Sequence, residues 1–195
     1  YEKAKSQADS FFRAVYAAIQ EKDHLGAIKI YRIYNDLRFA KDKPPYKTHF
    51  GLYFGRLQPK YRGGYYLHLS PEQSFVGGGF FNPDPKDLLR IRQEIAQEGE
   101  HFSQIMNSEP IRSYFSGQLW GQEVKTTPKG FDKDDPMIDF LRKKQFLLKR
   151  DFTLDQVLAD SFFQEVVDTF VAMRPFYDFM TQALTTDANG EPLYN

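Results

Sequence analysis

A change of period along the chain constrains the fold more than any other feature. Ala4, Ala8, Phe11, Phe12, Val15 and Ile19 recur at helical spacing, and this first helix is expected to run to about Lys22, with Gly26 as a left-handed stop. From Ala27 the period shortens to two. Ala27 to Asn35 sets Ile28, Ile30, Arg32 and Tyr34 against Lys29, Tyr31, Ile33 and Asn35, which suits a strand of β-branched and aromatic residues. His49 to Gly55, Tyr65 to Ser70 and Ser74 to Phe81 repeat the pattern, separated by segments rich in turn formers. Helical spacing returns after Asp84-Pro85, a cap followed by proline at the first helical position, and continues through Leu88, Ile91 and Ile95. Helices on both sides of a block of strands give an α+β class: an antiparallel meander of about four strands with helices packed mainly on one face.

The later chain adds detail without changing the class. Gln118 to Val124 reads as a short extra strand, Asp135-Pro136 opens a helix through Leu141, and Gln145 to Phe152 reads as an edge strand. Thr153 with Gln156 makes a capping-box signature, and the apolar helix from Phe162 to Met173 should kink or restart at Pro175. With 195 residues and neither a repeat nor a linker, one domain spanning 1–195 is expected. The first residues already have helical spacing with no cap before Tyr1, so an upstream helical segment is also expected.

Composition excludes several functions. Lys plus Arg equals Asp plus Glu at 26 each, so no bulk attraction to nucleic acid is expected and any affinity for anions must be local. Without cysteine there is no disulfide, thiolate nucleophile or cysteine metal site. No apolar run or signal-peptide pattern indicates a membrane, and a soluble, cytoplasmic protein is expected, its oligomeric state open. The four histidines, His24, His49, His68 and His101, show no metal spacing, Gly77 to Gly79 satisfies no phosphate-loop pattern, and no cofactor or metal is expected. Those glycines read as a bulge or a close backbone approach.

The densest chemistry lies in YRIYNDLRFAKDKPPYK, Tyr31 to Lys47. Arg32, Arg38, Lys41, Lys43 and Lys47 fall on a strand end and a loop stiffened by Pro44 and Pro45. Two readings stand: a site for a small carboxylate or phosphate compound, held by Arg32, Arg38, Lys41 and Lys47 and walled by Tyr46 and Tyr66, or a loop-anchoring ion-pair network with Asp36 and Asp42. A third reading makes this an enzyme with His68 or Asp42 as proton carrier beside the same cations, His68 having Tyr66 and Glu72 near it in sequence; a protein-interaction module is the fourth. His49 and His68 meet only if the strand register allows it. The Arg142, Lys143, Lys144, Lys149 and Arg150 run reads as a solvated face, and Phe131 to Pro136 as a helix-capping segment.

The runs RIYNDLRFAKDKPPYKTHFG, GGYYLHLSPEQSFVGGGFFNPDP and PKGFDKDDPMIDFLRKKQF, in that order, resemble the family called domain of unknown function 2461. The resemblance spans nearly the whole chain and implies an α+β fold but no established activity. Arg32, Tyr34, Asp36, Arg38, Phe39, Lys41, Asp42, Lys43, Pro45, Tyr46 and Lys47 match the family's basic segment. Asn35 stands where an Arg is usual and Ala40 where a Ser is usual, which removes one charge and one hydroxyl. The resemblance also implies a helical segment with a W-F element upstream of Tyr1.

Overall fold

Period-two alternation forms strands close to where the sequence places them. The computed structural model describes residues 2–34, 44–187 and 189–194. Strands β1 (Leu25–Ile30), β2 (Phe50–Arg56), β3 (Gly64–Leu69), β4 (Ser74–Phe80) and β5 (Phe146–Phe152) build one sheet in chain order, each neighbouring pair antiparallel. The first four are the expected meander, and β5 is the expected edge strand, paired along β4. The first strand ends earlier than its alternation suggests. Tyr31 N–H donates to the Gly51 carbonyl at 2.9 Å, and beyond it, among the described residues, an isolated bridge joins Tyr34 to Tyr46. Pro44 and Pro45 lie in the chain segment that would have to pair there, and neither has an N–H to give a ladder. The 118–124 segment contributes isolated bridges, Trp120 to Leu147 on the outer edge of β5 and Glu123 to Lys143 just before that strand.

The helices start and stop for readable reasons. α1 (Glu2–Gln20) precedes the sheet, while α2 (Pro85–Gln97), α3 (Gly99–Met106), α4 (Glu109–Phe115) and α5 (Ile138–Leu141) lie between β4 and β5. Asp84 caps α2 by accepting from the N–H groups of Lys86 and Asp87 at 2.9 and 2.8 Å. Thr153 and Gln156 form both bonds of the capping box that opens α6 (Leu154–Leu158). α7 (Phe162–Ala172) stops and α8 (Arg174–Thr185) restarts with Pro175 in its first turn, where a missing N–H breaks nothing.

Alternation then sorts the sheet into two faces. Leu52, Phe54, Tyr65, Leu67, Val76 and Leu148 point to the helix side and are fully buried. Against them lie Phe12, Val15 and Ile19 of α1, Phe170 of α7 and Phe176 and Tyr177 of α8. Phe170 meets Phe54 and Tyr65 edge-on, with ring centroids 5.5 and 5.1 Å away.

One polar network crosses this core. Arg56, 2% exposed, pairs with buried Asp23 at 2.9 Å and with Asp178 of α8 at 2.8 Å. The Tyr65 hydroxyl donates to the same Asp23 carboxylate at 2.6 Å, and the Arg56 guanidinium lies 5.3 Å from the Tyr61 ring centroid. A buried guanidinium with partners on several sides offsets much of its desolvation, which here ties α8 and the end of α1 to β2.

Candidate functional site

The face of the sheet turned away from these helices carries the chemistry. Register places its side chains in rows. Gly51, His68, Phe75 and Asp151 make one row, and Lys29, Tyr53, Tyr66, Gly77 and Lys149 the next. Gly55, Gly64, Gly79 and Leu147 make the third. A cavity of about 570 Å³ opens over the last two rows. Tyr31, Tyr53 and Tyr66 stand on one side of it, Phe75, Leu147 and Lys149 on the other, and Phe81 and Trp120 at the rim. Lys47 and His49 enter from the segment before β2.

Gly64, Gly77 and Gly79 carry no side chain for three different reasons. The space a Cβ at Gly64 would need is filled by the Tyr53 ring, whose hydroxyl oxygen would be 2.7 Å away. Gly79 has φ +132°, and its Cβ would strike the Phe146 carbonyl oxygen at 2.1 Å, so glycine is obligatory there. A Cβ at Gly77 would first meet the Leu148 carbonyl oxygen at an ordinary 3.6 Å, and the backbone lies outside the left-handed region. Gly78 faces the helices, where the Tyr177 hydroxyl reaches past it to donate to the Gly64 carbonyl. The close-approach reading therefore holds for Gly78 and Gly79, while Gly77 gives the cavity its depth.

Electrostatics favour a negative guest. Two lysines line the cavity and no acidic residue does, among the described residues. Lys149 is held at 2.8 Å by Asp151 and stands over the Phe75 ring, 4.8 Å from its centroid. Lys47 has no ion pair among the described residues. His49 and His68 share the face and stack, ring centroids 4.3 Å apart, and Phe75 continues the stack on the other side of His68 at 4.9 Å. Burial first, then the neighbouring His49 and Lys149, push His68 down to about 4, while burial and Lys47 lower His49. Burial, with Tyr31 beside them, raises both Tyr53 and Tyr66. At neutral pH the site thus presents neutral imidazoles and intact phenols, with Tyr66 Oη and His68 Nδ1 sharing a 3.2 Å hydrogen bond.

The residues expected from sequence divide into three groups. Lys47 and Tyr66 line the cavity, and His68 stacks beside it. Arg32 and Tyr46 are exposed and outside its lining, Tyr46 packing its ring 5.3 Å from that of Tyr34. Arg38, Lys41 and Asp42, with Asp36 and Lys43, lie outside the described residues. Sequence reasoning missed Lys149, Trp120 and Gly77. The basic run of residues 142–150 is not one solvated face: Lys143 pairs with Glu123 at 2.6 Å, Arg150 turns to the helix side and pairs with Glu165 at 2.6 Å, and Lys149 points to the cavity. The alternation in FLLKRDF already puts Lys149 and Arg150 on opposite faces.

A larger hollow of about 870 Å³ lies between α2, residues 130–135 and the end of α8. Lys86 and Arg90 there face Glu94, Asp132, Asp135 and Asp187, so acids outnumber bases, and it is more open to solvent. No group of three or more His, Asp or Glu able to hold a metal occurs among the described residues. No helix among them is long and apolar enough to cross a membrane.

Fold and cavity together define an α+β protein with helices on one face of a five-stranded antiparallel sheet and a cationic, aromatic-walled cavity on the other. The chain belongs to the family described as conserved hypothetical protein (DUF2461), whose model matches residues 1–179. No curated protein and no solved structure gives a significant match.

Proposed function

We propose that this is a binding domain for a small anionic compound carrying a carboxylate or phosphate, seated on the open face of the sheet. A cytoplasmic setting, expected from composition, belongs to the same reading. The supporting observation is the pairing of two lysines with no acid, among the described residues, around a cavity of about 570 Å³, within the roughly 300–1,000 Å³ typical of small-molecule sites. Lys47 supplies a charge with no ion pair among the described residues, and Lys149 an oriented one. Tyr53, Tyr66 and neutral His49 offer hydrogen bonds, and Phe75, Leu147 and Trp120 keep water from screening them. Thermal melting of the purified chain against a panel of small carboxylates and phosphates tests this, since a ligand that binds only the folded state raises the melting temperature. A Lys47→Met, Lys149→Met double variant should stay folded and lose that stabilisation. Equal stabilisation of the double variant would refute the reading.

A second reading, proton transfer by His68, draws on its hydrogen bond to Tyr66. A base that titrates near 4 is poorly matched to proton abstraction at neutral pH, where efficiency peaks for groups titrating near the working pH. In the favoured reading the His68–Tyr66 pair positions the Tyr66 ring at the cavity wall.

A further inference from the structure

Gly77 is a glycine that its own backbone does not require. It sits within β4, paired with Tyr66 on one side and Lys149 on the other. Its φ is one that any residue adopts, and a Cβ there would meet nothing closer than 3.6 Å. Glycine inside a strand weakens it relative to alanine and typically marks close approach by a ligand or another backbone. Among the described residues no other backbone crosses this face at Gly77; the edge of the Phe75 ring comes within 3.7 Å, and beyond it the space is the cavity. Around that glycine the walls are aromatic: Tyr66 and Phe75 rise from the sheet, while Phe81 and Trp120 at the rim stay 61% and 54% exposed. Large rings left in water beside a glycine that carries no side chain of its own are matched by a flat, apolar guest.

Building on the reading above, we propose that the anionic ligand is a flat aromatic or heteroaromatic ring bearing one carboxylate or phosphate, its ring against the Gly77 backbone and its anion at Lys47. Charge complementarity points to the sign, since no acid among the described residues lines the cavity and Lys149 is already held by Asp151. The aromatic walls and the missing side chain at Gly77 fix the shape. Neutral side chains at His49 and Tyr53 suit hydrogen-bonding ring substituents without adding charge.

The test uses calorimetric titration of the full chain with 1-naphthyl phosphate and 1-naphthoate. Methyl phosphate and acetate serve as ringless controls, and 1-naphthalenemethanol as a ring without charge. Each ring-bearing anion should bind at least about tenfold more tightly than its ringless control, a gain in the range seen for a ring stacked on aromatic side chains. Gly77→Leu, which fills the floor, should erase that gain while the melting temperature holds or rises. Gly77→Ala gives a smaller version of the same loss should leucine prevent folding. Lys47→Met should bring naphthoate down to the affinity of naphthalenemethanol. Retention of the gain in Gly77→Leu overturns the seat at Gly77. Equal binding of methyl and naphthyl phosphate overturns the ring while leaving an anion site intact. No binding of any anion overturns both readings, and tighter binding of short single-stranded DNA than of naphthyl phosphate overturns a small-molecule ligand.

Discussion

The rings of His49 and His68 stack with centroids 4.3 Å apart and planes 28° from parallel, although the residue paired across the ladder from His68 is Gly51. The contact is diagonal, His49 lying two residues before Gly51 and just ahead of β2, while the space over Gly51 itself is taken by the Tyr66 and Tyr31 rings. Two imidazoles held this closely resist charging together. The folded-state value of His68 lies near 4, below its ordinary 6.5, so the folded protein favours the neutral ring. The associated stability is present above pH 6.5 and is lost as pH falls from there through about 4. His68→Phe should flatten the fall in melting temperature across that window, and proton NMR should place the His68 transition near the lower end. A transition near 6.5 with an unchanged acid limb would count against the stacked, desolvated pair.

Asp23 and Arg56 are the most deeply buried ion pair described, each with a side chain fully shielded from solvent. Asp23→Ala strands the guanidinium in the core and should cost about 3–5 kcal/mol in urea unfolding. Asp178 contacts the same guanidinium, but its side chain is 56% exposed and water can replace it. Asp178→Ala should cost no more than about 1 kcal/mol. Similar costs for the two would mean that burial does not separate their roles.

Neighbouring glycines of β4 should respond oppositely to alanine. At Gly78 the new Cβ would lie 2.2 Å from the Tyr177 hydroxyl and 2.7 Å from Met173 Sδ, and overpacking of that kind costs about 1–3 kcal/mol. Adding Tyr177→Phe should recover part of the loss by removing the hydroxyl. Gly77→Ala should be neutral or stabilising by roughly 0.5–1 kcal/mol. Chemical denaturation of the three variants distinguishes these outcomes.

Trp120 is the only tryptophan of the chain and stands at the cavity rim with Lys149 Nζ 5.7 Å from its ring. Its emission should be quenched more efficiently by iodide than by caesium, because a cationic surrounding concentrates the anion. Lys47→Met with Lys149→Met should bring the two quenchers together. Preference for caesium in the unaltered protein would contradict a positive cavity.

Much of the architecture was legible because it depends on local periods. The two-residue alternation of YYLHLS and FLLKRDF, the Asp84-Pro85 start and the Thr153 capping box each act over a few residues, and each appears where the pattern puts it. The site was only half legible because it depends on distant pairings. Lys47 and Tyr66 were found through their chemistry, but Lys149 reaches the cavity only because β5 docks beside β4, a pairing no local window contains. Arg56 was passed over for the same reason: its partners Asp23, Asp178 and Thr181 come from both ends of the chain. Gly77 was grouped with Gly78 and Gly79, and only the coordinates show that the three glycines answer to different neighbours.

Four helices separate β4 from β5, yet the two strands pair along their whole length. Bringing such distant segments together carries a loop-closure cost before any contact rewards it, and pairings of this kind form slowly. Leu147 and Lys149, one wall of the cavity, arrive only with that strand. A nascent or partly refolded chain can therefore hold the β1 to β4 meander and still lack a binding site, so competence to bind reports completion of the fold.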